Sequence, residues 1–127
     1  MRDKKSDTPD NVSNQGRTVI FFPEKPVTKE MKDAPEIKRD RFITSLTLMS
    51  NNMEPVSSVS PLGAIGADVY ELKENGRPGW RCVYYTGIKG MIYVIHVTEK
   101  STNGVDRQLI ATAGTRLKAL RSTLKAA

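Results

Sequence analysis

The chain has 127 residues, 38 % hydrophobic and 27 % charged, which suits one domain with a real core and a part left unpacked, and is too short for two domains. Lys and Arg number 20 against 14 Asp and Glu; the resulting pI of 9.6 points toward anionic partners, namely nucleic acid, an anionic membrane or an acidic protein. A single Cys and a single His exclude a disulfide framework, a Cys-pair zinc site and most His-cluster metal sites, and no apolar run approaches the roughly 18 residues that span a bilayer.

Residues Met1 to Arg17 hold one β-branched apolar residue, Val12, among Asp, Asn, Ser, Lys and Pro. They bury too little surface to offset ordering entropy, so a disordered tail is expected over 1–17 and one domain over 18–127. The start, Met1-Arg2-Asp3-Lys4-Lys5, has no apolar region like that of a secretory signal, so a reducing cytoplasm is the expected location. Thr18-Val19-Ile20-Phe21-Phe22 reads as a strand stopped by Pro23. Pro23 and Pro26 are expected to keep the following residues out of a helix, with a weak turn or two between Val27 and Asp33. Pro35 suits a helix start. Ile37, Phe42, Ile43, Leu46 and Met49 then predict an amphipathic helix from about Glu36 to Ser50. Glu54 to Gly66, rich in Pro, Gly and Ser, reads as an irregular connector.

Three more strands are predicted: Val69 to Lys73, Trp80 to Thr86 and Met91 to Thr98. Asn75 to Gly79 is a turn, and Gly87-Ile88-Lys89-Gly90 a tight hairpin. Asp106 to Ala126 reads as a helix with Leu109, Ala113, Leu117 and Leu120 on one stripe. The expected class is therefore α+β: a small antiparallel sheet of about four strands, an N-terminal helical region and a C-terminal helix.

A two- or four-residue loop centred on Ile88-Lys89 sets Thr86 opposite Met91 and Arg81 opposite His96. Val83, Tyr85, Ile92 and Val94 would share the face of Arg81 and His96. Trp80, Cys82, Tyr84, Tyr93, Ile95 and Val97 would form the more apolar face that carries the helices. A one-residue slip would overturn this assignment. The charge is uneven as well. Lys100, Arg107, Arg116, Lys118, Arg121 and Lys125 face only Asp106 in the last 28 residues, which hold nearly all of the net +6.

Arg81 breaks an apolar run. It could pair with Glu71, or offer its planar fork of donors to a phosphate. His96 could be a satisfied strand histidine, a general acid/base or a phosphate donor. Tyr84 and Tyr85 point to opposite faces, which leaves one free to stack on a base or bond a phosphate. Lys73, Arg77, Lys89 and Lys100, at strand ends and turns, suit RNA backbone contacts, although such residues also serve solubility alone. Cys82 reads as a small buried hydrophobe. No phosphate-cradling glycine loop, zinc spacing or nucleophile elbow occurs, so no cofactor or metal is expected.

The run from Val69 to Tyr85, with Tyr70-Glu71-Leu72 followed by Trp80-Arg81, then His96, Lys100 and Ala113 with Arg116, resembles the phage-derived Gp49/HigB-like branch of the RelE/ParE toxin superfamily. The likeness spans about Thr18 to Leu124. Two positions depart from it: Thr98 stands where the family has Phe, and Ser101 follows Lys100 where it has a second Lys. The resemblance implies a RelE-like toxin of a type II toxin-antitoxin system, acting as a metal-independent mRNA endoribonuclease, often in the ribosomal A site. In that reaction the RNA 2′-OH attacks the adjacent phosphate and leaves a 2′,3′-cyclic phosphate. It implies that Arg81 stabilises phosphoryl charge, that His96 or Tyr85 moves protons, and that Lys100 and Arg77 position the backbone. Lys73, Lys89, Arg107 and Arg116 would add RNA contacts. The implied partners are mRNA, the ribosome and a cognate antitoxin with a helix-turn-helix domain. Two other functions share this fold: a non-enzymatic basic regulator that binds nucleic acid or protein, and a ParE-type toxin directed at gyrase.

Overall fold

The computed structural model describes residues 16–100 and 104–126. The expected tail lies outside the described residues up to residue 15. Arg17 is already fixed: its backbone N–H donates to Ser50 O at 2.7 Å and its Nη2 to Met49 O at 3.1 Å. Defined structure thus begins before Thr18. Eight elements follow: β1 (Thr18–Phe21), α1 (Glu24–Asp33), α2 (Glu36–Ser50), β2 (Ser58–Pro61), β3 (Val69–Glu74), β4 (Gly79–Tyr85), β5 (Met91–Lys100) and α3 (Arg107–Ala126).

The class is α+β, with five strands in the order β1-β5-β4-β3-β2. β1 runs parallel to β5, and every other pair is antiparallel. The expected four strands become five because part of the connector pairs: Ser58 to Pro61 lie along β3, from Ser58 opposite Lys73 to Pro61 opposite Tyr70. A proline is tolerated there because the strand is an edge. The N-terminal helical region is also more regular than expected. α1 starts at Glu24 and contains Pro26 in its first turn, where the backbone N–H has no partner within the helix to lose.

Helices cover both faces of the sheet, which corrects the expectation of one helical and one open face. α1 and α2 place Val27, Met31, Phe42, Leu46 and Met49 against Leu72, Trp80, Cys82, Tyr84, Ile92, Val94 and Val97. α3 places Leu109, Ala113, Leu117 and Leu120 against Val69, Val83, Tyr85, Tyr93 and Ile95. A fully buried side chain such as Phe42 or Leu117 contributes about 1.5–3 kcal/mol. The first connector is pinned to α2 by a buried polar pair: Ser57 N–H donates to Ser45 Oγ at 3.0 Å, and the two hydroxyls are 3.0 Å apart.

α3 is capped by the residue before it. Asp106 Oδ1 accepts the Leu109 N–H at 3.0 Å, satisfying one of the orphan donors at a helix start. Asp106→Ala is expected to cost about 1 kcal/mol and to lower the melting temperature by about 3–6 °C, measured by thermal denaturation.

The β4–β5 register differs from the expected one. Tyr85 stands opposite Tyr93 and Tyr84 opposite Val94. This one-residue slip moves Ile92 and Val94 under α1 and α2, and moves Tyr93 and Ile95 under α3. A bulge then shifts the pairing, so that His96 faces Val83, Val97 faces Cys82 and Thr98 faces Arg81. Arg81 and His96 are diagonal neighbours, not opposite ones.

Candidate functional site

At the end of the sheet where β3 turns into β4, Lys73 is paired with Arg81 and Gly79 with Lys100. Arg81 is 9 % exposed. Its Nη1 donates to Trp80 O at 2.9 Å, and its Nε stands 3.5 Å from Glu71 Oε1, an ion pair without a hydrogen bond. The guanidinium folds back over Gly79, where a Cβ would come within 3.4 Å of Nη1.

Glu71 sits two residues before Lys73 on β3 and feels three cations: Arg81, Lys73 and Lys100. Burial nevertheless dominates and raises its carboxyl pKa above the usual range, with Asp106 adding to the rise. Glu71, Lys100 and Asp106 line a cavity of about 340 Å³, with Leu62, Val105 and Leu109 as part of its apolar wall. Lys100 Nζ donates to Gly104 O at 2.7 Å across this cavity's rim. The result is a half-buried carboxyl ringed by cations at the mouth of a pocket. Such an arrangement can hold an anion and accept a proton.

His96 belongs to a second cluster. β1 pairs with β5 only from Met91 to Val94, so the next edge groups of β5 need other partners. Side chains supply them. Arg116 Nη1 donates to Ile95 O at 3.0 Å, and Val97 N–H donates to Glu30 Oε1 at 2.9 Å. Glu30 also meets His96 Nδ1 at 3.0 Å, and it takes both arms of Arg116, at 2.9 Å on Oε1 and 2.8 Å on Oε2. Burial pushes the Glu30 carboxyl up, but the bonds from His96, Arg116 and Val97 outweigh it and hold the pKa at about 2. This network ties α1, β5 and α3 together around the sheet edge.

The geometry therefore brings Arg81, Lys73 and Lys100 together and gives His96, a diagonal neighbour of Arg81, different partners. Arg81 turns toward β3 and His96 toward α1, correcting the expectation that both emerge side by side and open. His96 is 8 % exposed. Tyr85 is buried under α3, with Arg121 Cζ 5.4 Å above its ring centroid, so its phenol is not presented on an open face. Arg77 is exposed in the β3–β4 turn and Arg107 at the start of α3, both at the groove's end of the sheet. Lys89 is exposed in the hairpin at the far end, and Arg116 is committed to Glu30. Burial raises the Cys82 thiol pKa sharply, consistent with the small hydrophobe expected.

Two carboxylates were not singled out as site residues by the sequence. Glu71 was visible only as a possible partner of Arg81. Glu30 carried one signal: it lies three residues after Val27 and one before Met31, both buried, so it borders the apolar stripe of its helix. A charge at such a position needs a partner.

No helix among the described residues is long and apolar enough to cross a membrane. No curated protein matches the chain. Residues 29–118, however, match the sequence profile of the phage-derived Gp49-like proteins (DUF891), and the chain belongs to that family.

Proposed function

We propose that the chain is a RelE/ParE-superfamily toxin of the HigB-like type that cleaves mRNA without a metal, at the groove formed by Glu71, Arg81, Lys73 and Lys100. The observation that carries this reading is the half-buried Glu71 carboxyl set among three cations at a cavity mouth. The chemistry needs one group to take the 2′-OH proton and others to neutralise charge growing on the phosphoryl oxygens. Glu71 suits the first task, since its raised pKa makes it a stronger base than an ordinary carboxylate. Arg81 suits the second, with Lys73 and Lys100 adding charge. A lysine ammonium or water would give the departing 5′-oxygen its proton. His96, held by Glu30 and Arg116, would serve the fold of the sheet edge.

The exposed Arg77 and Arg107 at the same end would track the RNA backbone, and the cationic C-terminal region would supply salt-sensitive attraction to ribosomal RNA. A cytoplasmic setting and an antitoxin that covers the basic surface complete the proposal. The test is purified protein with ribosomes and mRNA. Fragments with 2′,3′-cyclic phosphate and 5′-OH ends are expected, at a rate that rises with pH as Glu71 ionises and then levels off. Glu71→Gln should slow the reaction by about 10²- to 10⁴-fold.

One observation favours a second reading. Arg81 and His96 are each nearly buried and already paired with a carboxylate of the same chain. A basic regulator without catalysis would look the same. It would bind RNA or an acidic protein in a salt-sensitive way and leave the RNA intact.

A further inference from the structure

A cavity on the opposite face of the sheet from Glu71, under the C-terminal end of α2, plays no part in the reading above. Its volume is about 490 Å³, within the range of about 300–1,000 Å³ typical of small-ligand sites. One wall is a pair of stacked rings, Tyr70 and Tyr84, with centroids 5.8 Å apart and planes inclined by 28°. Tyr84 is buried and fixed, and Tyr70 is only partly buried, so the pair presents an aromatic surface to the cavity. Met53 and Val59 line it with exposed apolar surface. Its polar lining comes from Asn52 and Thr86 and from two charged groups, Arg17 and Glu54. Arg17 is anchored by Nη2 on Met49 O, while its Nε has no hydrogen-bond partner among the described residues. Burial raises the Tyr84 phenol pKa to about 12, so it stays a neutral O–H donor.

We infer that this cavity is a nucleobase-binding site, in which a flat heterocycle stacks on Tyr70 while Arg17 and Glu54 bond its polar edge. The chemistry selects this class. A plain hydrocarbon would leave a guanidinium and a carboxylate without partners, and a bare anion would meet Glu54 and gain nothing from the rings. A base offers a π-face for the tyrosines, acceptors for Arg17 and ring or amino N–H donors for Glu54. Base–aromatic stacking is a general device for holding unpaired nucleotides. The site is separate from the Glu71 groove: Tyr70 and Glu71 are consecutive strand residues and point to opposite faces. The inference holds whether or not that groove cleaves RNA.

The base could belong to a free nucleotide or to a nucleotide splayed from single-stranded RNA. Titration of the full chain with GMP, AMP and a short single-stranded RNA, followed by calorimetry and by chemical shifts of the tyrosine rings, separates the two. Saturable binding of a mononucleotide is expected if the source is a free nucleotide, and binding of the oligomer alone if it is RNA. In either case Tyr70→Leu should weaken binding about tenfold or more, Arg17→Gln should weaken it as well, and Lys29→Ala, at an exposed position outside both sites, should leave binding unchanged. Thermal melts of Tyr70→Leu and Arg17→Gln confirm that each variant folds. Failure of all three probes to perturb Tyr70 and Tyr84, or binding that is indifferent to Tyr70→Leu in a folded variant, would overturn the inference.

Discussion

Arg81→Ala is expected to slow mRNA cleavage by about 10²- to 10³-fold, the usual consequence of deleting one preorganised donor to transition-state charge. The expectation rests on where the guanidinium lies. It is almost buried, fixed on Trp80 O at 2.9 Å and 3.5 Å from Glu71, so its charge is poorly screened and needs little reorganisation during reaction. Arg81→Lys keeps the charge but loses the planar fork and should fall between the wild type and Arg81→Ala. The alanine variant also leaves Glu71 without its nearest cation, though Lys73 and Lys100 remain close enough to act on it. Thermal melts run beside the kinetics therefore separate loss of chemistry from loss of fold. Rates unchanged by Arg81→Ala would remove the groove from the mechanism.

Glu30→Gln should be the most destabilising of the charge substitutions, by about 1.5–3 kcal/mol, because it removes the charge from a partly buried ion pair and weakens its hydrogen bonds. Arg116 would keep its position at the sheet edge without a counter-charge, and His96 and the Val97 N–H would face a weaker acceptor. For a chain of this length the melting temperature should fall by roughly 6–15 °C. The same residue predicts an acid limb. In the unfolded chain Glu30 titrates near its ordinary value of 4.5, and in the fold at about 2. Between those values the unfolded state binds more protons. The stabilisation is thus present above about pH 5 and is lost as pH falls toward 2. Its size is on the order of 3 kcal/mol. Urea titrations from pH 7 to pH 2.5 should show a steeper loss in the wild type than in Glu30→Gln. Parallel pH profiles would contradict the assignment.

Local pattern was readable in the sequence, and long-range pairing was not. α2 runs from Glu36 to Ser50, where the spacing of Phe42, Leu46 and Met49 put it, and α3 from Arg107 to Ala126, where Leu109, Ala113, Leu117 and Leu120 put it. α1 was underestimated because Pro26 reads as a breaker, although its position in the first turn is harmless. β2 was hidden because Ser58 to Pro61 lack an apolar alternation; their order comes from pairing with β3. The β4–β5 register depended on one residue in a turn and on a bulge at Ile95 that no composition signals.

The site divides along the same line. Lys73 and Lys100 were found as cations at strand ends and Arg81 as a charge breaking an apolar run, and the sheet does gather them. His96 was joined to Arg81 by a register the sheet does not adopt. Glu30 is 66 residues away from His96 in sequence, and only the packing of α1 along the open edge of β5 brings them together. The cover over Tyr85 was equally invisible, since it comes from Arg121 one helix later.

Primer extension on cellular mRNA after induced expression tests the proposed activity most directly, with wild type and Arg81→Ala compared at equal soluble protein. New 5′ ends that accumulate with the wild-type chain and vanish with Arg81→Ala are the result predicted. Full-length message in both cultures, or the same new ends in both, would contradict it.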